Sequence, residues 1–220
     1  MNDALILFLK YPERSKVKTR IAASLGDDFA FGLYTAFIKD LLVMAGIIGA
    51  DKILAIDGPA GVSVDSLDFG TGYSVIRQNG EDIGDRMRNA FMHVFHSGYE
   101  KAVLIGSDLP GLPAAWVENA LAALDTTDAA IGKSTDGGYY LIGFRKETFS
   151  PDYFKGITWS TSSVFQQTIE KFSRLKKSIS MLPEWIDIDD HNDLKQFYER
   201  NSDGTGAALY TMKYLTEMFP

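Results

Sequence analysis

Two patterns of apolar residues alternate along most of the chain. Continuous short runs bounded by glycine, proline or charge are typical of buried strands, whereas recurrence every three or four positions is typical of amphipathic helices. The runs predict strands over residues 4–10, 52–57, 73–78, 102–105, 129–132, 139–144, 179–182 and 185–188. The recurrence predicts helices over residues 27–45, 83–95, 114–124 and 192–200, one beginning near residue 161, and one at the carboxyl terminus.

The order of these elements predicts an α/β fold. Alternating strands and helices followed by hairpin-like strands indicate a mixed, mostly parallel sheet sandwiched by helices. The 220 residues, 45% of them hydrophobic, suffice for one full core, so we expect a single domain over residues 1–220. Asp27 or Asp28 is expected to cap the helix that begins there.

Charge and cysteine content narrow the function. A net charge of -7 and a pI near 5.0 argue against a nucleic-acid partner, which needs a broad basic surface. The absence of cysteine excludes thiolate catalysis and zinc sites built on Cys. The apolar run over residues 4–9 is too short for a signal peptide or a membrane span, so we expect a cytoplasmic location.

Asp108 follows the apolar run over residues 102–105 and is the most informative residue of the chain. A carboxylate at the carboxyl end of a buried parallel strand faces the crevice where α/β sheets bind ligands. Mg²⁺ commonly takes one or two carboxylates and completes its shell with water and phosphate oxygens, so Asp108 indicates a metal-bound nucleotide. The alternative is that Asp108 caps the helix that starts near Pro113.

Basic residues cluster in the loop after the first strand. Five of the chain's 22 lie within eleven positions: Lys10, Arg14, Lys16, Lys18 and Arg20. At the same sheet edge as Asp108, they are placed to neutralise phosphates. A solvated basic loop is the alternative.

The segment from Gln78 to Met87 joins a strand end to a helix start. Gln78 and the backbone of Gly84 could read the edge of a nucleobase, and Arg86 could reach phosphate. A capped helix in which Arg86 pairs with Asp82 explains the same residues.

Asp136 precedes two glycines and begins a candidate acceptor site. Gly137 and Gly138 permit a tight turn or a close approach to a ligand, while Tyr139 and Trp159 could form an aromatic wall against a sugar. A plain hairpin turn is the alternative.

Asp187 and Asp189 lie two positions apart in the predicted strand over residues 185–188 and just after it. Side chains two apart on a strand share a face, and two like charges there are unfavourable without a cation. Both are therefore candidates to complete a metal site with Asp108. Capping of the helix at Asn192 is the alternative for Asp189.

Taken in order, these motifs resemble the radical-SAM/selenodomain-associated transferases, a family with glycosyltransferase character, over most of the chain up to about residue 194. The resemblance is carried by Lys10-x-Pro12, Val17-Lys18-Thr19-Arg20, Gln78-x-Gly80-x-Asp82-Ile83-Gly84-x-Arg86-Met87, Gly106-Ser107-Asp108-x-Pro110, Asp136-Gly137-Gly138-Tyr139-Tyr140, Trp159-Ser160-Thr161 and Asp187-Ile188-Asp189. The sequence departs from the family pattern at Ser15, where the family usually has glycine.

The resemblance implies the GT-A fold of nucleotide-diphospho-sugar transferases, which molybdopterin and phospholactate guanylyltransferases share. It implies that Lys18 and Arg20, with Lys10 and Thr19 in the same loop, hold the donor phosphates. It further implies a divalent ion, Mg²⁺ or Mn²⁺, on Asp108, supported by Asp189.

Two enzymatic interpretations and one non-enzymatic interpretation follow. Transfer of a sugar from a nucleoside diphosphate to a small-molecule hydroxyl needs a general base if the enzyme is inverting, and Asp136 is the candidate for that base. Transfer of a nucleotidyl group to a phosphorylated acceptor needs no base and depends on cations, including Lys18 and Arg20. A nucleotide-binding module without turnover is the third interpretation. The resemblance favours the sugar donor.

Overall fold

A computed structural model describes residues 2–59, 71–201 and 208–219. The strands are β1 (Asp3–Lys10), β2 (Asp51–Asp57), β3 (Tyr73–Arg77), β4 (Lys101–Ile105), β5 (Ala129–Ser134), β6 (Tyr139–Arg145) and β7 (Ile179–Trp185). The helices are α1 (Thr19–Leu25), α2 (Asp27–Ile47), α3 (Ile83–His96), α4 (Ala114–Ala123), α5 (Val164–Arg174), α6 (His191–Asn201) and α7 (Leu209–Met218). A 3₁₀ helix spans Pro151–Phe154.

All seven strands form one sheet in the order β3-β2-β1-β4-β6-β5-β7. Pairing is parallel between β3, β2, β1 and β4 and between β5 and β7, whereas β6 is antiparallel to both of its neighbours. The prediction of a mixed, mostly parallel sheet between helices is thus confirmed.

The sheet is covered on both faces. In β1, Leu5, Leu7 and Leu9 pack into a core with α1, α2, α4, α6 and α7. Ala4, Ile6 and Phe8 of the same strand pack into a second core with α3, α5 and the 3₁₀ helix. Two buried faces explain why this strand is continuously apolar rather than alternating.

Three local predictions need correction. The helix α1 was not predicted, because it has only seven residues and begins inside the basic segment that was taken as a loop. The two short strands expected over residues 179–182 and 185–188 are the single strand β7, which ends at Trp185. The residue that caps α2 is Gly26, while Asp27 and Asp28 lie in the first helical turn, bonded to Ser15 and Arg14 of the preceding loop.

The helix α2 is long and apolar enough, by length and composition, to cross a membrane. Half of its apolar stretch is buried within the fold, where its side chains form much of the first core. Its apolar character is therefore explained by packing against the sheet.

Candidate active site

A cavity of about 330 Å³, the first cavity, lies at the carboxyl ends of the parallel strands. The strands β1 and β4 are neighbours, yet the chain leaves β1 toward β2 and returns from β3 to β4 on the other side. In α/β sheets, a crevice opens where the chain leaves two neighbouring strands in opposite directions. Its charged lining residues are Lys10, Lys16, Lys18, Arg20, Arg86, Asp57, Asp108 and Asp189, and Thr19 also lines it.

The loop between β1 and α1 carries Lys18 into the first cavity. Ser15 (φ 63°) and Lys18 (φ 47°) both adopt the left-handed backbone conformation, which turns the chain sharply. The Lys18 side chain is 4% exposed, and its ammonium lies 2.8 Å from Asp108 Oδ1 and 3.3 Å from Asp189 Oδ1. It also donates a hydrogen bond to the Ile188 carbonyl at 2.7 Å. Lys18 therefore joins three segments that are far apart in the sequence.

Neither Asp108 nor Asp189 caps a helix. Pro113 occupies the cap position of α4, which has no side-chain cap. Asp190 accepts hydrogen bonds from two backbone amides at the start of α6. The two carboxylates are therefore available to the cavity, where their side chains are 37% and 42% exposed.

This pair of carboxylates fits a hard divalent cation. The Oδ1 atoms of Asp108 and Asp189 converge on one cationic group, the Lys18 ammonium. Mg²⁺ and Mn²⁺ prefer oxygen ligands, and Mg²⁺ often uses one or two carboxylates with water and substrate phosphate. Among the described residues, no three His, Cys, Asp or Glu side chains form a ready metal site. An ion would therefore rely on this pair and on oxygen atoms of the donor.

Asp187 lies close to the site but lines neither of its cavities. Its Oδ2 atom accepts a hydrogen bond from Ser134 Oγ at 2.5 Å. Burial, reinforced by the charges of Asp108, Asp136 and Asp189, raises the pKa of Asp187 from 3.8 to about 7. Its predicted role as a metal ligand stays a prediction, and in the structure it is a half-buried carboxyl bonded to Ser134.

The predicted base-reading residues are placed differently from the expectation. The side-chain amide of Gln78 donates to the carbonyls of Leu9 (3.0 Å) and Ala55 (2.9 Å), so its donors are used within the sheet. Only its carbonyl oxygen remains for a ligand. Arg86 pairs with Asp57 at 2.7 Å, not with Asp82, and both partners line the first cavity.

Gly84 does not line the first cavity, and the role of its backbone in reading a nucleobase stays a prediction. It is buried beneath Trp159, and a Cβ at this position would lie 2.1 Å from the indole ring. The absence of a side chain at Gly84 thus lets Trp159 pack on α3.

A second cavity of about 490 Å³ adjoins the first. Its walls include Tyr139 and Trp159, whose rings meet edge to face with centroids 6.4 Å apart. The two cavities share Arg20, Asp189 and three further residues, Phe8, Ile83 and Gly106. A ligand in one cavity would therefore contact a ligand in the other.

Asp136 and Gly138 line the second cavity, where Asp136 Oδ1 accepts a hydrogen bond from the Gly138 amide at 2.8 Å. Gly137 does not line it, contrary to expectation. Its φ is 91°, and a Cβ there would lie 2.1 Å from the carbonyl oxygen of Ser162. Gly137 therefore shapes the turn, and the hydrogen bond from Gly138 engages one of the two Asp136 oxygens.

Sequence reasoning missed Tyr34, Ser107 and Asp57. The Tyr34 hydroxyl accepts from the Lys10 amide (2.9 Å), donates to the Lys10 carbonyl (3.1 Å) and lies 3.0 Å from Ser107 Oγ. Burial and the nearby Asp108 charge raise the pKa of Tyr34 far above its ordinary value. Tyr34 lies on the apolar face of α2, so the sequence pattern indicates only a core position for it. Asp57 could have been predicted, because it is a charged residue at the end of a strand.

Comparison with known proteins agrees with this architecture. The chain is 38% identical to a "putative nucleotide-diphospho-sugar transferase" from Desulfovibrio desulfuricans G20, with a TM-score of 0.92 over 99% of this chain and 95% of that one. None of the curated proteins matches the chain.

Two more distant structures share the fold alone. Rv0371c from Mycobacterium tuberculosis H37Rv, in complex with manganese, is 16% identical, with a TM-score of 0.58 over 90% of this chain and 99% of that one. The 4-diphosphocytidyl-2C-methyl-D-erythritol synthase from Anaerococcus prevotii DSM 20548 is 11% identical, with a TM-score of 0.59 over 98% of both chains.

The likeness confirms the expected nucleotide-diphospho-sugar transferase-like fold. Because these similar structures are nucleotide-using transferases, the comparisons support a transferase as the class of this protein. The relation to radical-SAM-associated proteins and to guanylyltransferases stays a prediction. A family model described as "Uncharacterized protein conserved in bacteria (DUF2064)" matches residues 41–161, more than half of the chain. The chain therefore belongs to the DUF2064 family.

Proposed function

We propose that this protein is a metal-dependent glycosyltransferase that moves a sugar from a nucleoside diphosphate to an uncharged hydroxyl acceptor. The observation that carries the proposal is the pair of adjoining cavities with different chemistry. The first is strongly charged, while the second combines aromatic walls with the Asp136 carboxylate.

The first cavity suits the nucleoside diphosphate. Lys10, Lys16 and Arg20 supply positive charge for the diphosphate, while Arg86 is held by Asp57 at the same wall. A divalent ion on Asp108 and Asp189, once bound, would supply Lewis-acid stabilisation of the departing nucleoside diphosphate.

The second cavity suits a neutral acceptor. In the proposed reaction the acceptor hydroxyl oxygen bonds to the anomeric carbon as the bond from that carbon to the β-phosphate oxygen breaks. Asp136 accepts the hydroxyl proton on the oxygen that is not bonded to Gly138, and the nucleoside diphosphate leaves. Tyr139 and Trp159 offer ring faces for stacking a sugar or a similar group.

Nucleotidyl transfer is the second candidate, and the five basic residues of the first cavity favour it through the higher charge of a triphosphate. A phosphorylated acceptor, however, would enter a cavity where Arg20 is the one basic side chain among the described lining residues. Asp136 and Asp189 would repel it. This imbalance favours the sugar transferase.

A two-step experiment tests the proposal. Thermal shift with nucleotides and nucleotide sugars, with and without Mn²⁺, identifies the donor through ligand stabilisation. Product formation is then measured with neutral and with phosphorylated acceptors. We expect Asp136→Asn to reduce sugar transfer about 100-fold, the usual contribution of a general base, while donor affinity is retained. Asp152→Asn, which changes an exposed carboxylate on the 3₁₀ helix, is the matched control.

Three results would contradict the proposal. Pyrophosphate release from a triphosphate with a phosphorylated acceptor, unaffected by Asp136→Asn, would identify a nucleotidyltransferase. Donor binding without any product, again unaffected by the substitution, would identify a binding module. Full donor affinity and transfer in Asp108→Asn with chelator present would remove the metal from the proposal.

A further inference from the structure

The Lys18 ammonium has the surroundings of a bound metal ion. Three oxygen acceptors surround it: Asp108 Oδ1 at 2.8 Å, Asp189 Oδ1 at 3.3 Å and the Ile188 carbonyl at 2.7 Å. An ammonium has three N–H donors, so these contacts use its full capacity. The Phe37 ring, with its centroid 5.6 Å away, adds a further favourable contact.

The backbone indicates that these contacts hold Lys18 in a costly conformation. Its φ of 47° lies in the left-handed region, which is unfavourable for a residue with a side chain. No side chain caps α1, the helix that begins at the next residue. The two ion pairs of the Lys18 side chain are therefore available to offset part of this cost, together with the buried side chains of Val17 and Ile21 on either side.

Lys18 and a divalent cation compete for the same atoms. Each carboxylate directs its Oδ1 atom to the ammonium, and the same two carboxylates would have to hold the ion. Two cations only a few ångströms apart repel one another strongly in a partly buried site. The ion can therefore bind well only if the ammonium leaves, and the ammonium can leave at low cost only if another anion receives it.

We propose that Lys18 is an internal counter-ion that holds Asp108 and Asp189 together before the metal binds. When the metal arrives with the donor, the ammonium moves from the carboxylates to the donor diphosphate. Lys18 itself lines the first cavity, so its ammonium lies at the wall beside which the diphosphate would bind. Metal and diphosphate then bind with positive coupling, because each removes the cost of accommodating the other. This inference rests on the metal site of the proposed function.

The test measures Mn²⁺ affinity directly, by calorimetry and by electron paramagnetic resonance, without any turnover. The probes are Mn²⁺ alone and the preformed Mn²⁺–pyrophosphate complex. Wild-type protein is expected to bind the complex at least about tenfold more tightly than Mn²⁺ alone. Lys18→Met is expected to bind Mn²⁺ alone about tenfold more tightly than wild type, the size of a lost charged hydrogen bond. Its preference for the complex over Mn²⁺ alone should be smaller than that of wild type, although Lys10, Lys16 and Arg20 still attract the pyrophosphate.

Lys16→Met is the matched control. Lys16 lines the same cavity but pairs with Glu13 at 2.9 Å rather than with the metal-site carboxylates. Its removal subtracts the same charge, and we expect the affinity for Mn²⁺ alone to change less than threefold; only this probe serves as the control, because Lys16 also contributes charge for the diphosphate. Lys18→Arg retains the charge and should keep the weak affinity for Mn²⁺ alone. If Lys18→Met loses the native near-UV circular dichroism, Lys18→Gln answers the same question with a polar neutral side chain.

Two outcomes overturn the inference while the metal site stands. The first is Mn²⁺ binding of equal affinity in wild type and Lys18→Met. The second is an equal gain in Lys16→Met, which would indicate a general field effect. Absence of Mn²⁺ binding by every variant, with and without pyrophosphate, would overturn both this inference and the metal part of the proposed function.

Discussion

Replacing Asp187 with asparagine is expected to change how the stability of the protein depends on pH. Burial and three neighbouring carboxylates raise the pKa of Asp187 to about 7 in the folded state, against 3.8 when the residue is unperturbed. Between these values the folded protein holds a proton that the unfolded chain has lost. Stability therefore falls as pH rises from about 4 to about 7 and then levels off.

The size of the effect follows from the shift. At about 1.4 kcal/mol per pKa unit, the full shift corresponds to about 4 kcal/mol. Asp187 is only half-buried, and solvent screening reduces this figure. We therefore expect the free energy of unfolding of Asp187→Asn, relative to wild type, to rise by about 1 to 2 kcal/mol between pH 5 and pH 8. Ser134, the donor to Asp187, can still donate to the asparagine carbonyl.

Urea unfolding followed by tryptophan fluorescence, in EDTA at several values between pH 5 and pH 8, measures this difference. Groups common to both proteins contribute equally and cancel in the comparison. Asp152→Asn serves as the control, because Lys155 holds the pKa of Asp152 below its usual value and outside the range. A difference between Asp187→Asn and wild type that stays constant across the range would refute the reasoning.

Three further substitutions test other parts of the site. Gly84→Ala adds a methyl group 2.1 Å from the Trp159 indole. We therefore expect a shifted tryptophan emission and an acceptor KM raised about tenfold, while donor affinity is unchanged. An unshifted emission spectrum would contradict this packing. Tyr34→Phe leaves the partly buried backbone amide of Lys10 without its acceptor and should lower the free energy of unfolding by about 2 kcal/mol in urea. A loss below about 0.5 kcal/mol would argue against the hydrogen bonds of the Tyr34 hydroxyl. Ser15→Gly relieves left-handed strain while losing a hydrogen bond to Asp27, and Ser15→Ala loses the bond alone. Ser15→Gly should therefore be about 1 kcal/mol more stable than Ser15→Ala by thermal unfolding. Equal stability of these two variants would count against the left-handed conformation of residue 15.

Ser15 also shows how a departure from a family pattern is explained. The resembling family usually has glycine at this position, and the backbone of Ser15 is left-handed, the conformation that glycine adopts without strain. The Ser15 hydroxyl compensates through its bond to Asp27 at the start of α2. Sequence reasoning identified the departure, but the φ angle and the compensating partner required the structure.

Corrections within the site have a common origin. Gln78 and Arg86 were correctly expected near the first cavity, yet their donors bond to the sheet and to Asp57. Gly84 supports Trp159 across more than seventy positions of sequence. Sequence pattern ranks residues by chemical type, whereas hydrogen-bond donors are satisfied by whichever acceptors the fold brings near.

Local pattern was sufficient for the fold class and for most element bounds, since burial on both faces requires long apolar runs and helices require recurrence every three or four residues. It was also sufficient to select Lys18, Asp108 and Asp189 as chemically meaningful positions. The approach of both carboxylates to within 3.3 Å of the Lys18 ammonium depended on the tertiary structure. Placing β4 beside β1 brings Asp108 to the loop that carries Lys18, and a hydrogen bond from the Ile188 amide to the Asp108 carbonyl (3.1 Å) brings the segment of Asp189 to the same crevice. Contacts between remote segments leave no periodic trace in the chain, so three-dimensional packing alone established which charges pair and which carboxyl is driven toward its neutral form.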